Sequence, residues 1–274
     1  MAIAFALLTA AAWGVLEMLL LRAAKRTTAV VLGFWMSVLG GALTLPLALA
    51  FEPAPDLGGW AFAMGPGVLA VIGSLLYWQA LRVGKLSVVS PTVATNGGIA
   101  ALIAVLLLGE RFTTLQFVAL GAAVAGVVLA SAGRGWSATG VGWAVPSAIV
   151  LGFYTVGLAL SVDEVGVVWA VMAYRVAGVA ILGAIVLWRR TPLRLDLGIR
   201  RAVGYSAVLD TVGFVSLTYA FSIGSIAIVS VVMAQFSTVA VVLAATVLHD
   251  RLLPHQWAGV VLVLLATATL SAMQ

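Results

Sequence analysis

The chain has 274 residues, of which 64% are hydrophobic and only 8% charged, and it contains no cysteine. That balance excludes a water-soluble domain of this size, and the missing thiols exclude disulfides, thiolate catalysis and cysteine-based metal sites. The 14 Lys and Arg against 9 Asp and Glu leave a net charge of +5. The basic residues stand at the ends of apolar runs, where lipid headgroups satisfy them, so the charge points to membrane topology and not to nucleic acid.

A bilayer-crossing helix needs about 20 mostly apolar residues. Ten such windows follow one another: 2–22, 29–51, 60–82, 88–108, 114–132, 139–161, 165–189, 201–222, 226–248 and 254–273. The first lacks a basic leader and an obvious cleavage site, so it reads as a permanent helix and not a cleaved signal. Pro46, Pro66, Pro91 and Pro146 lie inside windows, where membrane helices tolerate proline. The short alternating segments of a membrane β-barrel are absent. Trp60, Trp136, Trp143, Trp188 and Trp257 fall near window ends, as an interfacial belt would place them.

The odd-numbered loops carry Arg22, Lys25, Arg26, Arg82, Lys85, Arg134, Arg189, Arg190, Arg194, Arg200, Arg201 and Arg251. The even-numbered loops carry Arg111 beside Glu52, Asp56, Asp163 and Glu164. The positive-inside rule puts the odd loops in the cytoplasm and both termini outside, in an inner (plasma) membrane.

One unit occurs twice. Gly84-Lys85-Leu86-Ser87-Val88-Val89-Ser90 aligns with Gly224-Ser225-Ile226-Ala227-Ile228-Val229-Ser230, Leu108-Gly109-Glu110-Arg111 with Leu248-His249-Asp250-Arg251, and Gln116-Phe117 with Gln256-Trp257, at an offset of 140 residues. The units are expected at 1–133 and 134–274. Five spans per unit is odd, so the second must enter the membrane upside down. Loop charges agree: basic Lys25-Arg26 corresponds to acidic Asp163-Glu164, and acidic Glu52 and Asp56 correspond to the Arg189–Arg201 cluster. The expected fold is an all-α polytopic membrane protein, ten transmembrane helices in two inverted five-helix repeats around a central cavity.

The repeat resembles the EamA-type module of the bacterial drug/metabolite transporter superfamily. The matching residues are Trp13-Gly14, Arg22, Ser90-Pro91, Gly109-Glu110-Arg111-Phe112-Thr113, Gln116, Gly121 and Gly126, then Phe153, Arg175, Asp250-Arg251, Gln256 and Gly259. Copy two departs with Val231 in place of Pro91 and His249-Asp250 in place of Gly109-Glu110, so its fourth span lacks the proline that would kink it. The resemblance implies a secondary transporter, commonly an exporter of amino acids, other small metabolites or drugs.

Three charged residues fall inside windows: Glu17, Arg175 and Asp210. An intramembrane charge needs a partner or a cavity. At 1.5 Å rise, Arg175 lies roughly 21 Å from Arg189 and Asp210 roughly 13 Å from Arg201, and an Arg side chain spans the remaining offset of about 8 Å. The pair reads either as a structural ion pair or, alternatively, as Arg175 anchoring a substrate anion. Glu17 shares a helix face with Trp13 four residues earlier. It reads as a proton-exchanging acid, similar to the first-helix glutamate of small four-helix multidrug members of the superfamily, or as an interfacial acid paired with Arg22 or Lys25. At equal offset, Glu17 corresponds to Gly157, Asp210 to Ala70 and Arg175 to Trp35.

Further cavity candidates are Tyr77, Trp78 and Gln79 on the third span, Asn96 on the fourth, and Tyr154 on the sixth. Thr218 and Tyr219 on the eighth and Gln235 on the ninth complete the set. Each has a bland alternative, a Ser or Thr bonding its own helix or an amide joining neighbours. Ala122, Gly126 and Ala130 could pack spans five and ten together or against another protomer, so monomer and homodimer both stay open. No acid/base or metal constellation appears, and His249 and His255 sit at one loop, so no enzyme activity, cofactor or metal is expected. No nucleotide-binding motif appears either. The expected function is export of a small neutral or zwitterionic metabolite such as an amino acid. The alternative is proton-coupled efflux of lipophilic cations through Glu17. Substrate, protons and membrane lipid are the expected partners.

Overall fold

The structure is a computed structural model that describes residues 1–131, 139–247 and 253–273. The described residues form eleven helices and no strand: α1 (Ala2–Arg26), α2 (Ala29–Phe51), α3 (Leu57–Val83), α4 (Leu86–Leu107), α5 (Thr114–Ser131), α6 (Val141–Val165), α7 (Val167–Arg189), α8 (Leu197–Ser222), α9 (Ile226–Met233), α10 (Phe236–Val247) and α11 (Pro254–Ala272). α1 to α8 occupy the first eight expected spans, α9 with α10 the ninth, and α11 the tenth. By length and composition seven spans are clearly able to cross a bilayer, among them Ile226–Leu243 across the α9–α10 junction. α8 is long but carries Ser206, Asp210 and Thr211 on its buried face, and α5 and α11 are shorter apolar helices. Arg134, Trp136, His249, Asp250 and Arg251, and the expected boundary between residues 133 and 134, lie outside the described residues.

The ninth span departs from the single helix expected over 226–248. It is interrupted at Ala234–Gln235 although no proline is there. The Gln235 N–H turns to Val232 O at 3.2 Å, three residues back. Its side-chain amide donates to Thr267 of α11, which offsets the lost regularity of the helix. The proline-bearing counterpart, α4, stays continuous through Pro91.

Helix packing maps onto itself when the two halves are exchanged. α1 packs along α8 and, correspondingly, α6 along α3; α4 packs on α6, and α9 with α10 on α1; α2 meets α7 and α5 meets α11 across the axis. Individual contacts repeat too. Thr9 Oγ1 donates to Gly213 O at 3.0 Å, and Ser147 Oγ to Gly73 O at 2.8 Å. A Cβ on Gly213 would strike Trp13, and one on Gly73 would strike Leu151. These pairs set the α1/α6 correspondence at 138 residues, and Gly40 against Arg175, repeated as Gly178 against Ser37, sets the same offset for α2/α7, two fewer than in α3/α8 and beyond. The equal-offset matches are therefore corrected. Glu17 corresponds to Thr155 and Arg175 to Ser37, because the connection after the second helix of the unit is two residues longer in copy two; Asp210 still corresponds to Ala70.

The inversion is visible at the loops. The start of α1 meets Gly224 in the α8–α9 turn, whereas the start of α6 meets Gly84 in the α3–α4 turn. Even-numbered loops meet each other through carboxylates. Glu52 accepts from Val168 N and Trp169 N at the start of α7, beside Gly166, whose φ of 90° turns the chain in one residue. Glu110 accepts from Ser225 Oγ, Ile226 N and Ala227 N at 2.8–3.1 Å, capping α9. Each acid satisfies helix N–H groups that have no partner within the helix.

α5 and α11 pack against each other inside the fold: a Cβ on Gly126 would meet Val263 and Gly259 O. Trp143, Trp188 and Trp257 are exposed, as a lipid-facing belt requires. Trp60 instead packs edge-on against Trp169, with ring centroids 5.7 Å apart.

Candidate functional site

α1 and α8 run antiparallel, locked by Thr9 on Gly213. One turn further along α1, Trp13 packs edge-on against Phe214 and Phe236, at 4.9 and 6.1 Å between ring centroids. Another turn on, Glu17 lies at the level of Asp210 on α8. It is buried, and it does not pair with Arg22 or Lys25. Its Oε1 accepts the Tyr77 hydroxyl of α3, and its Oε2 accepts Ser90 Oγ of α4 at 2.6 Å. Two hydroxyls thus hold the carboxyl group in place, with no cation beside it.

Among the described residues one ion pair forms. Arg175 Nη1 donates to Asp210 Oδ2 at 2.7 Å, with the Arg side chain fully buried and the Asp side chain 12% exposed. The guanidinium lies over the rings of Tyr174 and Phe214, 4.9 and 5.2 Å from their centroids, and its Nε and Nη2 have no partner. It reaches this place because residue 40 is glycine: a Cβ there would lie 2.5 Å from the Arg175 Cζ.

Between the two halves lies a cavity of about 700 Å³, its mouth included. Its lining follows the pseudo-symmetry: Trp13 corresponds to Leu151, Leu16 to Tyr154, Glu17 to Thr155, Met36 to Tyr174, Ser74 to Phe214, Val93 to Met233, and Asn96 to Phe236. Asp210 is the copy-two lining residue without a lining counterpart. Leu20, Tyr77 and Trp78 have none in copy two and extend the cavity toward the odd-numbered loops. Within each pair, polarity falls mainly to copy one. Glu17, Ser74, Tyr77 and Asn96 are the polar lining of copy one; Tyr154, Tyr174, Phe214 and Phe236 are the aromatic lining of copy two. Buried lining atoms without a partner are Trp13 Nε1, Asn96 Oδ1 and the Tyr154 hydroxyl.

The structure thus gathers Trp13, Glu17, Tyr77, Trp78, Asn96, Tyr154 and Asp210 around one space. The remaining candidates lie elsewhere. Arg175 sits behind Asp210, and Gln79 is half-buried outside the lining. Thr218 is buried and donates to Phe214 O at 2.9 Å. Tyr219 is exposed and packs edge-on against Phe5, 4.6 Å between centroids. Gln235 is engaged with Thr267. Sequence reasoning missed Tyr174, Met36 and Thr155 as lining residues, and Ser90 as the partner of Glu17. Tyr174 was signalled by its neighbour Arg175, and Ser90 by its repetition as Ser230. No group of three His, Asp or Glu suited to a metal occurs among the described residues.

The profile of the EamA-like transporter family matches this chain twice, over residues 1–132 and 138–272. No curated protein sequence matches it. Among solved structures, one described as the crystal structure of a protein superposes with a TM-score of 0.78 at 15% identity, over 99% of this chain and 96% of the other. At that identity the likeness concerns the fold alone.

Proposed function

The chain belongs to the EamA-like transporter family, and on that premise we propose that it is a secondary transporter carrying small organic cations through the inter-repeat cavity by alternating access. The observation that supports this substrate class is the sign of the lining. Glu17 and Asp210 face the cavity, while Arg175 is withdrawn behind Asp210. Aromatic walls add the ring faces on which cations bind favourably. Glu17 has no cationic partner, so it takes either a proton or the substrate, which couples efflux to the proton gradient. The cavity lies nearest the basic odd-numbered loops, so in an inner membrane with those loops cytoplasmic it loads from the cytoplasm.

A neutral or zwitterionic metabolite such as an amino acid is the second reading. It is favoured by the unpartnered donors of Trp13 and Tyr154, which suit a carboxylate. Proteoliposomes separate the two. A proton gradient should drive movement of a lipophilic aromatic cation in the wild type, and Glu17→Gln should abolish it. Amino-acid counterflow that survives Glu17→Gln, without cation movement, would overturn the cation reading.

A further inference from the structure

The cavity carries a polar acceptor that neither ion-pairing nor packing explains. Asn96 is 4% exposed, and its Nδ2 is spent on Val93 O at 2.8 Å, one turn back on α4. A carbonyl can only accept, so this bond fixes the orientation of the amide: Nδ2 faces the backbone, and Oδ1 is the end left over in a residue that lines the cavity. Oδ1 has no donor. A buried acceptor left unpaired carries a desolvation penalty, which a ligand that brings a hydrogen would relieve. Its pseudo-symmetric counterpart is Phe236, which has no such need. The acceptor therefore belongs to one wall only.

Resting on the cation reading above, we propose that the substrates are amphipathic ammonium ions that retain N–H hydrogens, and that Asn96 is the residue selecting them. The protonated nitrogen lies against the copy-one wall, where Glu17 supplies charge and Asn96 Oδ1 accepts an N–H. The apolar or aromatic body lies against Tyr154, Tyr174, Phe214 and Phe236. A quaternary ammonium satisfies Glu17 and the rings but leaves Asn96 Oδ1 buried and unpaired. Selectivity then arises from the unpaired acceptor, which rejects the analogue lacking the hydrogen.

The test compares 2-phenylethylammonium with its N,N,N-trimethyl analogue by calorimetric binding to the purified full chain in lipid nanodiscs. The wild type should bind the primary ammonium at least about tenfold more tightly, the factor expected for one hydrogen bond to a charged group. Asn96→Leu should bring the two affinities together. Asn96→Asp, which keeps an acceptor at the same place, should retain the preference and guards against a fold lost in the leucine variant. Equal affinities in the wild type, or an undiminished preference in folded Asn96→Leu, overturn the role of Asn96 while leaving the cation reading intact. Failure of either cation to bind the wild type overturns the cation reading itself.

Discussion

Arg175 of α7 and Asp210 of α8 meet through a single contact of 2.7 Å, and the guanidinium of the pair is completely buried. The contact is not a fork: Nε and Nη2 find no acceptor. Charge is balanced here with little to spare, and the stability of the α7–α8 region depends on both members being present.

Removing Asp210 alone leaves a buried cation with only ring faces around it. Asp210→Ala is expected to cost about 3–5 kcal/mol, and adding Arg175→Met should return part of that loss. Reversible unfolding in detergent micelles measures all three variants. Single-mutant losses that simply add in the double variant would show the two side chains to be independent.

Gly40 is the space in which the guanidinium rests. Gly40→Ala places a Cβ 2.5–2.8 Å from three guanidinium atoms, a clash expected to cost about 1–3 kcal/mol. The same substitution in an Arg175→Ala background should cost much less. A penalty of equal size in both backgrounds would locate the strain elsewhere.

Glu110 joins the halves through the start of α9. Glu110→Ala strands two backbone N–H groups and the Ser225 hydroxyl at a loop end partly open to solvent, and should cost about 1–2 kcal/mol. Glu110→Gln, which keeps one acceptor oxygen, should fall between wild type and alanine. Thermal unfolding followed by intrinsic tryptophan fluorescence resolves the order of the three.

The absence of cysteine makes single-thiol accessibility clean. Ser74→Cys, on the cavity wall, should be modified by a small charged methanethiosulfonate applied from the odd-loop side, and a bound aromatic cation should protect it. Thr218→Cys, buried away from the cavity, should stay unmodified over the same interval. Modification of the Ser74 position only from the even-loop side would reverse the assigned opening.

Much of this was legible in the residues. Apolar windows of bilayer length and the sign reversal of paired loops sufficed for ten spans in two inverted halves, and helical rise placed Arg175 within reach of Asp210. Helix faces placed Trp13 beside Glu17. The candidates that fell away share one cause: Thr218, Tyr219 and Gln235 were chosen for polarity inside a span. Polarity does not say toward which neighbour a side chain turns. Thr218 turned to its own helix, Tyr219 to Phe5 and Gln235 to Thr267. The repeat alignment slipped by two residues in α1/α6 and α2/α7 for a related reason. Apolar helices resemble each other at several registers, and only contacts such as Gly40 on Arg175, repeated as Gly178 on Ser37, distinguish one register from the next.

The sequence by itself determined the solvent, the number of crossings, the inversion of the halves and the presence of three buried charges. Each follows from local hydropathy or from charge counted along the chain, quantities that need no neighbours. Only the tertiary structure decided that Arg175 is sequestered while Glu17 and Asp210 face the cavity, and that polar lining from one half joins aromatic lining from the other. Those depend on how helices rotate against partners distant in the chain, and rotation is set by the packing of small residues such as Gly40 and Gly213 against large ones. The chemistry of the cavity is therefore a property of the packed pair of repeats and of neither repeat alone.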